Sequence, residues 1–219
     1  MLVFPNLTQL DLTGPYEVLA EPPGAETLMS CKTLNPVRSE HGLTILPMAP
    51  LSTCPTLDLV FMPGGAGINP LLEDAEVLAF LRRAAAAARC VVSVSTGALV
   101  LGAAGLLRGR RAATHWMVRD LLHAFGAEPV ADRVVVDGKI FTGGGVTAGI
   151  DVALTVAAEI AGRATAEAIQ LAIEYGPAPP FGSGSPKTAD PAALAAVLAW
   201  AETCQRDRAE RVARAAAAL

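Results

Sequence analysis

A chain of 219 residues that is 52% hydrophobic and 17% charged has enough apolar side chain to bury a core, which excludes the disordered class. Its formal net charge of −4, with basic residues scattered or confined to the C-terminal segment, excludes a nucleic-acid stripe and favours a small neutral partner. Met1 to Pro5 lacks the basic and apolar regions of a signal peptide, and no apolar run reaches the length of a membrane span, so a cytoplasmic protein is expected.

Short apolar runs alternate with longer helical patterns, a rhythm that predicts an α/β fold: a mostly parallel sheet with helices on both faces. Leu2-Val3-Phe4 reads as an opening strand, short for a central one. Thr13 is placed to cap a helix from about Pro15 to Ala20, since proline is tolerated in a first turn. Glu26 to Leu34 and Leu43 to Met48 read as strands joined around Ser39-Glu40-His41-Gly42, a hairpin laid on the main sheet. Leu57 to Met62 is a compact apolar strand that stops at Pro63-Gly64-Gly65-Ala66-Gly67. Glu76 to Arg89 predicts a helix that feeds the strand Cys90 to Val94, and Ser95-Thr96-Gly97 then turns into a helix from Ala98 to Leu107. Arg111 to Thr114 reads as a strand, and Val118 to Phe125 as a helix closed by Gly126. Val134 to Val136 and Lys139 to Thr142 form a hairpin around Asp137-Gly138. After Gly143-Gly144-Gly145 come helices over Thr147 to Ala161 and Thr165 to Tyr175. Gly176 to Asp190 reads as a loop packed over the domain, because the long Ala-rich helix from Pro191 towards Leu219 has no core of its own. The expectation is one domain over residues 1–219.

Val91 to Leu99 has the form of a nucleophile elbow: a buried strand, a tight turn, then a helix. Such a turn lifts the side chain of residue 95 to the carboxyl edge of the sheet, over helix N–H groups that favour an anion. Gly97 lets the helix pack close to the strand. The plainer alternative is an N-cap serine. Asp11, taken alone, is a turn or cap residue, and Gly64 and Gly65 are a strand-ending turn. Gly143 to Thr147 lacks the Lys-Ser/Thr ending of a phosphate loop and is expected to turn a strand into the helix that carries Asp151, lining or supporting the pocket. Arg206, Arg208, Arg211 and Arg214 are offset by Glu202, Asp207 and Glu210, the pattern of a solvated amphipathic helix. Four widely spaced cysteines and three histidines form neither a disulfide framework nor ligand spacing, so no metal is expected.

The set Leu10-Asp11-Leu12-Thr13-Gly14-Pro15, Met62-Pro63-Gly64-Gly65, Val94 to Leu107 and Arg111-Ala112-Ala113-Thr114-His115-Trp116 resembles the DJ-1/PfpI superfamily in order and spacing. The tail Glu174-Tyr175-Gly176-Pro177-Ala178-Pro179-Pro180-Phe181, followed by Gly184-Ser185-Pro186, resembles its isonitrile hydratase branch. The resemblance implies a flavodoxin-like sandwich, also class I glutamine amidotransferase-like, in a homodimer with no cofactor. It implies an isonitrile substrate, converted with water to an N-substituted formamide through a thioimidate on an elbow cysteine. Asp11 would then shuttle protons, as acid in one step and base in the next. Backbone N–H groups of Gly65 and Thr96 would meet developing charge, with glycine at 64 and 65 allowing close approach. The Thr96 hydroxyl would bond near the reacting centre or cap its helix. His115 reads as a structural residue beside Trp116.

Two departures stand out. Ser95 occupies the cysteine's place, and a hydroxyl is a weak nucleophile without a base. An engineered Cys-to-Ser change, a natural inactive homologue and a serine enzyme all account for it; the first is preferred because the surroundings of the elbow are intact. The first strand also lacks residues that the family has before Phe4-Pro5, which suggests a frayed sheet edge or a late start. A DJ-1-like glyoxalase or hydrolase would want Glu at position 11 or histidine after residue 95. The ligand-sensing domain of an AraC-type regulator shares the elbow, and that reading expects a helix-turn-helix extension beyond Leu219.

Overall fold

The computed structural model describes residues 1–219. In chain order the elements are α1 (Gln9–Leu19), β1 (Ser30–Cys31), β2 (Val37–Arg38), β3 (Thr44–Ile45), β4 (Ala49–Pro50), β5 (Leu59–Met62), α2 (Ile68–Leu71), α3 (Ala75–Ala87), β6 (Cys90–Val94) and α4 (Gly97–Ala103). Then follow β7 (Arg111–Ala112), a 3-10 segment (Trp116–Phe125), β8 (Glu128–Pro129), β9 (Val134–Asp137), β10 (Ile140–Gly143), α5 (Ala148–Ala161), α6 (Arg163–Ala172) and α7 (Pro191–Ala217).

The main sheet has the order β5-β6-β10-β9, with the first three strands parallel and β9 antiparallel at the edge. Every residue of β6 is buried, which is why its sequence runs apolar without alternation: both faces are covered. Helices α1, α5 and α6 pack together on one face, while α3, α4, the 3-10 segment and α7 gather on the other. A single cluster of 49 buried residues joins them. The arrangement is a flavodoxin-like α/β fold, and no helix is long and apolar enough to cross a membrane.

The opening segment lies beside β5, where Leu2 N–H donates to Phe61 O at 2.9 Å and Val3 N–H to Ser30 O at 2.8 Å. Only an isolated bridge, Leu2 to Ser30, marks it as strand. The expected hairpin is smaller and differently built. Strands β2 and β3 pair antiparallel across the foreseen turn, whereas β1, from within Glu26 to Leu34, pairs in parallel with β4. Pro36 and Pro47 supply no N–H, and Leu34, Leu43, Leu46 and Met48 stay exposed, so the longer strands do not form.

Helix α1 begins six residues before the expected Pro15, with Thr8 at its N-cap and Pro15 inside it. Thr13 is no cap: its hydroxyl donates back to Gln9 O at 3.0 Å. Pro15 faces Gly149 of α5, where an added Cβ would lie 2.9 Å from the proline ring, so the two helices meet at a glycine. Helix α4 stops at Ala103, short of Leu107, because Gly105 adopts a left-handed φ of 77° and Leu106 N–H closes on Leu101 O at 3.0 Å. Gly176 to Asp190 is not packed over the body; it is largely exposed, as is the first third of α7.

Candidate active site

The strand β6 delivers its chain to Ser95, whose φ of 53° is left-handed. Serine in that region carries strain of order 1–3 kcal/mol, which surrounding structure must sustain. Ser95 N–H donates to Gly143 O at 3.1 Å and Ser95 O accepts the Thr114 hydroxyl at 2.7 Å, so both sides of the turn are pinned. Serine is not the helix cap here: Thr96 occupies the N-cap of α4, and no side chain caps that helix. Any Cβ at Gly97 would overlap Met62 O of β5, so glycine is what lets α4 start against the sheet.

Asp11 sits in the first turn of α1 and is fully buried. The start of that helix is tied to the Pro63–Gly67 turn by Thr8 N–H donating to Gly64 O at 3.0 Å and by a bridge between Leu7 and Gly65. Gly64 N–H donates to Asp11 Oδ2 at 2.9 Å, while Oδ1 has no hydrogen-bond partner. Burial pushes the carboxyl up to about 7; the Gly64 N–H opposes this, Glu40 adds to it, and nearby Ser95 slightly favours the charged form. Ser95 stands beside the carboxyl without a hydrogen bond of regular geometry to it. The site therefore presents an acid that titrates near neutrality next to a strained hydroxyl.

The expected backbone donors need correction. Gly65 N–H is taken by Thr96 Oγ1 at 2.9 Å, and the same hydroxyl donates to Gly65 O at 3.2 Å, so Thr96 locks the turn and caps nothing. Gly64 N–H is taken by Asp11. What remains is Thr96 N–H, which makes no hydrogen bond within the chain, as is usual in a first helical turn. Glycine at 64 is sterically required: an added Cβ would lie 2.7 Å from Asp11 Oδ2, from Thr96 N and from Thr96 Oγ1. Gly65, at φ 133°, would bring a Cβ within 2.5 Å of Thr8 N.

His115 is half-buried, its ring centroid 5.7 Å from that of Trp116, and its Nδ1 accepts Met117 N–H at 3.4 Å. Burial, helped by Arg208 and Arg119, pulls it down to about 4, so it is neutral at pH 7 and serves local structure. Asp151 is held in an ion pair with Arg133 at 2.7 Å and accepts the Tyr175 hydroxyl at 2.9 Å.

Two residues of the site were not foreseen from sequence. Thr114 belongs to the Thr-His-Trp segment, yet nothing in the sequence announces its bond to the elbow. Arg208, read as solvated, is 3% exposed and reaches Gly65 O. Its signal was present: Ala201, Arg208, Val212 and Ala215 share one face of α7, an apolar stripe interrupted by a cation.

Comparison with known proteins places this geometry. The chain is 54% identical over 218 residues to an isonitrile hydratase of Pseudomonas putida, covering 100% of this chain and 96% of that one. A crystal structure of a THiJ/PfpI family protein from Pseudomonas syringae superposes with a TM-score of 0.92 at 42% identity, over 99% of this chain and 88% of that one. The transcriptional regulator GbdR of Pseudomonas aeruginosa is 31% identical over 182 residues, 80% of this chain and 49% of the regulator. The DJ-1/PfpI family description matches residues 1–159, which carry the elbow, the glycine turn and the buried acid, and the chain belongs to that family.

Proposed function

We propose that this protein is an isonitrile hydratase scaffold, adding water to an isonitrile to give an N-substituted formamide, and that its Ser95 form is strongly impaired. The observation that carries the reading is Asp11: a buried carboxyl titrating at about 7 beside the elbow, in a chain 54% identical to a named hydratase. In the proposed chemistry a thiolate at residue 95 attacks the terminal isonitrile carbon while protonated Asp11 donates its proton to that carbon. The product is a thioimidate and an ionised Asp11. The carboxylate then takes a proton from water as the oxygen bonds to the same carbon, the added hydroxyl passes its proton to nitrogen, and the C–S bond breaks to return the thiolate and release the formamide. One group alternating between acid and base needs a pKa near the working pH, which burial supplies. Thr96 N–H is the donor offered to developing charge, with the Gly64-Gly65 turn shaping the wall.

A serine at the elbow lacks activation. His115 is engaged with Met117 and neutral, and Asp11 must hold its proton for the isonitrile carbon at the moment of attack, so it is not free to take the hydroxyl proton as well. A Cys-to-Ser replacement fits a site whose other members stay in place. Formamide formation from a simple aryl isonitrile by Ser95→Cys, under reducing conditions and beside the parent, tests the reading. Turnover by Ser95→Cys alone supports it; silence from both variants overturns it. The identity with GbdR then favours the second reading, a ligand-sensing domain without catalysis. We also read the 219 residues as one domain acting in the cytoplasm as a homodimer. The single core cluster supports the first point, and exposed Val197, Leu198 and Trp200 on α7 support a covered interface.

A further inference from the structure

Arg208 enters the site from a part of the chain outside residues 1–159, the stretch matched by the family description. Its Nε donates to Asn69 Oδ1 at 2.8 Å, Nη1 to Gln205 Oε1 at 3.1 Å and Nη2 to Gly65 O at 3.2 Å. It forms no ion pair. Neighbouring Asp207 is held instead by Asn69 Nδ2 at 2.8 Å and by Arg211 at 2.9 Å. A buried guanidinium without a carboxylate is expensive to keep, and neutral acceptors satisfy its donors without cancelling its charge. One of those acceptors, Gly65 O, is also the atom to which the Thr96 hydroxyl donates. The same peptide is therefore gripped from α4 on one side and from α7 on the other.

We propose that Arg208 is a positioning residue: it clamps the Gly64-Gly65 turn against the elbow and keeps a fixed positive charge there, making the C-terminal helix part of the active site. Other ionisable or charged groups around this point are Asp11 of α1, Glu40 after β2, His115 and Arg119 in the 115–125 region, and Cys204 and Asp207 of α7. Asp11 and Glu40 also bond the turn, by accepting the N–H groups of Gly64 and Ala66, and Arg208 alone among the charged side chains donates to its carbonyl. Loss of its charge would raise the pKa of a thiol placed at residue 95, and loss of its fork would let the turn and the Asp11 carboxyl drift.

The test uses the Ser95→Cys background and two readouts. The rate of alkylation of the introduced thiol by iodoacetamide, followed by mass of its own peptide against pH, needs no isonitrile. Turnover of an aryl isonitrile, split into kcat and KM, rests on the hydratase reading. Arg208→Met is expected to raise the alkylation midpoint by roughly one unit and to lower kcat about tenfold with little change in KM. Arg208→Lys is expected to restore the midpoint and only part of kcat. Glu73→Ala, which frees Arg211 and Arg214 and so loosens α7 without touching the turn, is expected to match the background in both. A folded Arg208→Met with both values unchanged overturns the proposal, as does a Glu73→Ala variant that reproduces its effects. Should Arg208→Met fail to fold, Arg208→Lys decides: a lowered kcat at an unchanged midpoint supports the clamp, and parental values overturn it. If the background makes no formamide, the hydratase reading falls and the alkylation midpoint alone judges Arg208.

Discussion

Asp11 sets two properties of the molecule at once. Burial raises its folded pKa from 3.8 to about 7, so as pH rises the unfolded chain releases this proton before the folded one does. Stability from this group is full below pH 3.8, is lost up to about pH 7 and is constant above, a loss on the order of 4 kcal/mol. Asp11→Asn removes this one titration: from pH 5 to pH 8 its urea midpoint is expected to rise relative to the parent's, because only the parent loses the Asp11 contribution over that interval. In the Ser95→Cys background the same change is expected to reduce formamide turnover roughly 10²- to 10⁴-fold, read from initial rates. Gly64→Ala tests the steric side of the site. Its Cβ would meet the backbone nitrogen of Thr96, which cannot swing aside, so a loss of about 1–3 kcal/mol in denaturant unfolding and loss of turnover are expected together.

Among the elements, those with strong local chemistry were legible in the sequence and those decided by partners were not. Helix α3 was foreseen over Glu76 to Arg89 and forms over Ala75–Ala87, because Asp74 Oδ1 accepts Glu76 N–H at 3.1 Å and Val77 N–H at 3.2 Å. Asp74→Ala is expected to cost about 1 kcal/mol, a fall of roughly 2–4 °C in Tm by calorimetry. Strand β6 and the turn after it were legible too, but Ser95 read equally well as an elbow or an N-cap, and only the backbone separates the two: Thr96 takes the cap and Ser95 the left-handed turn. Helix α1 was misplaced because Pro15 reads locally as a start, whereas its ring is accommodated by Gly149 of another helix. The donor assignment at Gly65 failed for a similar reason: which N–H stays free depends on a threonine 31 residues away, and spacing carries no record of hydroxyl orientation.

At the scale of the whole molecule, α7 divides into two halves with different surroundings. Its second half inserts Arg208, Val212 and Ala215 against the body, while Arg211 and Arg214 both reach Glu73. Its first half, from Pro191 to Trp200, has no charged residue and is exposed around most of its surface, with Trp200 83% exposed. A helix apolar all round belongs in an interior, so two copies are expected to bury it. Sedimentation velocity is expected to show a dimer, and the double change Val197→Asp with Trp200→Asp to yield monomer with an intact far-ultraviolet spectrum.

The glycine turn is closed by hydrogen bonds to residues 53, 31 and 143 positions away: Asp11, Thr96 and Arg208. Contacts so distant in sequence form late, because the entropy of closing long loops must be met before they contribute. A nascent chain leaving the ribosome therefore carries every residue of the elbow and its acid long before the turn can be completed. On the proposed role of Arg208 the full rate arrives only with the last helix, and proteolytic trimming of that helix is expected to lower the turnover of Ser95→Cys about tenfold while leaving the sheet intact.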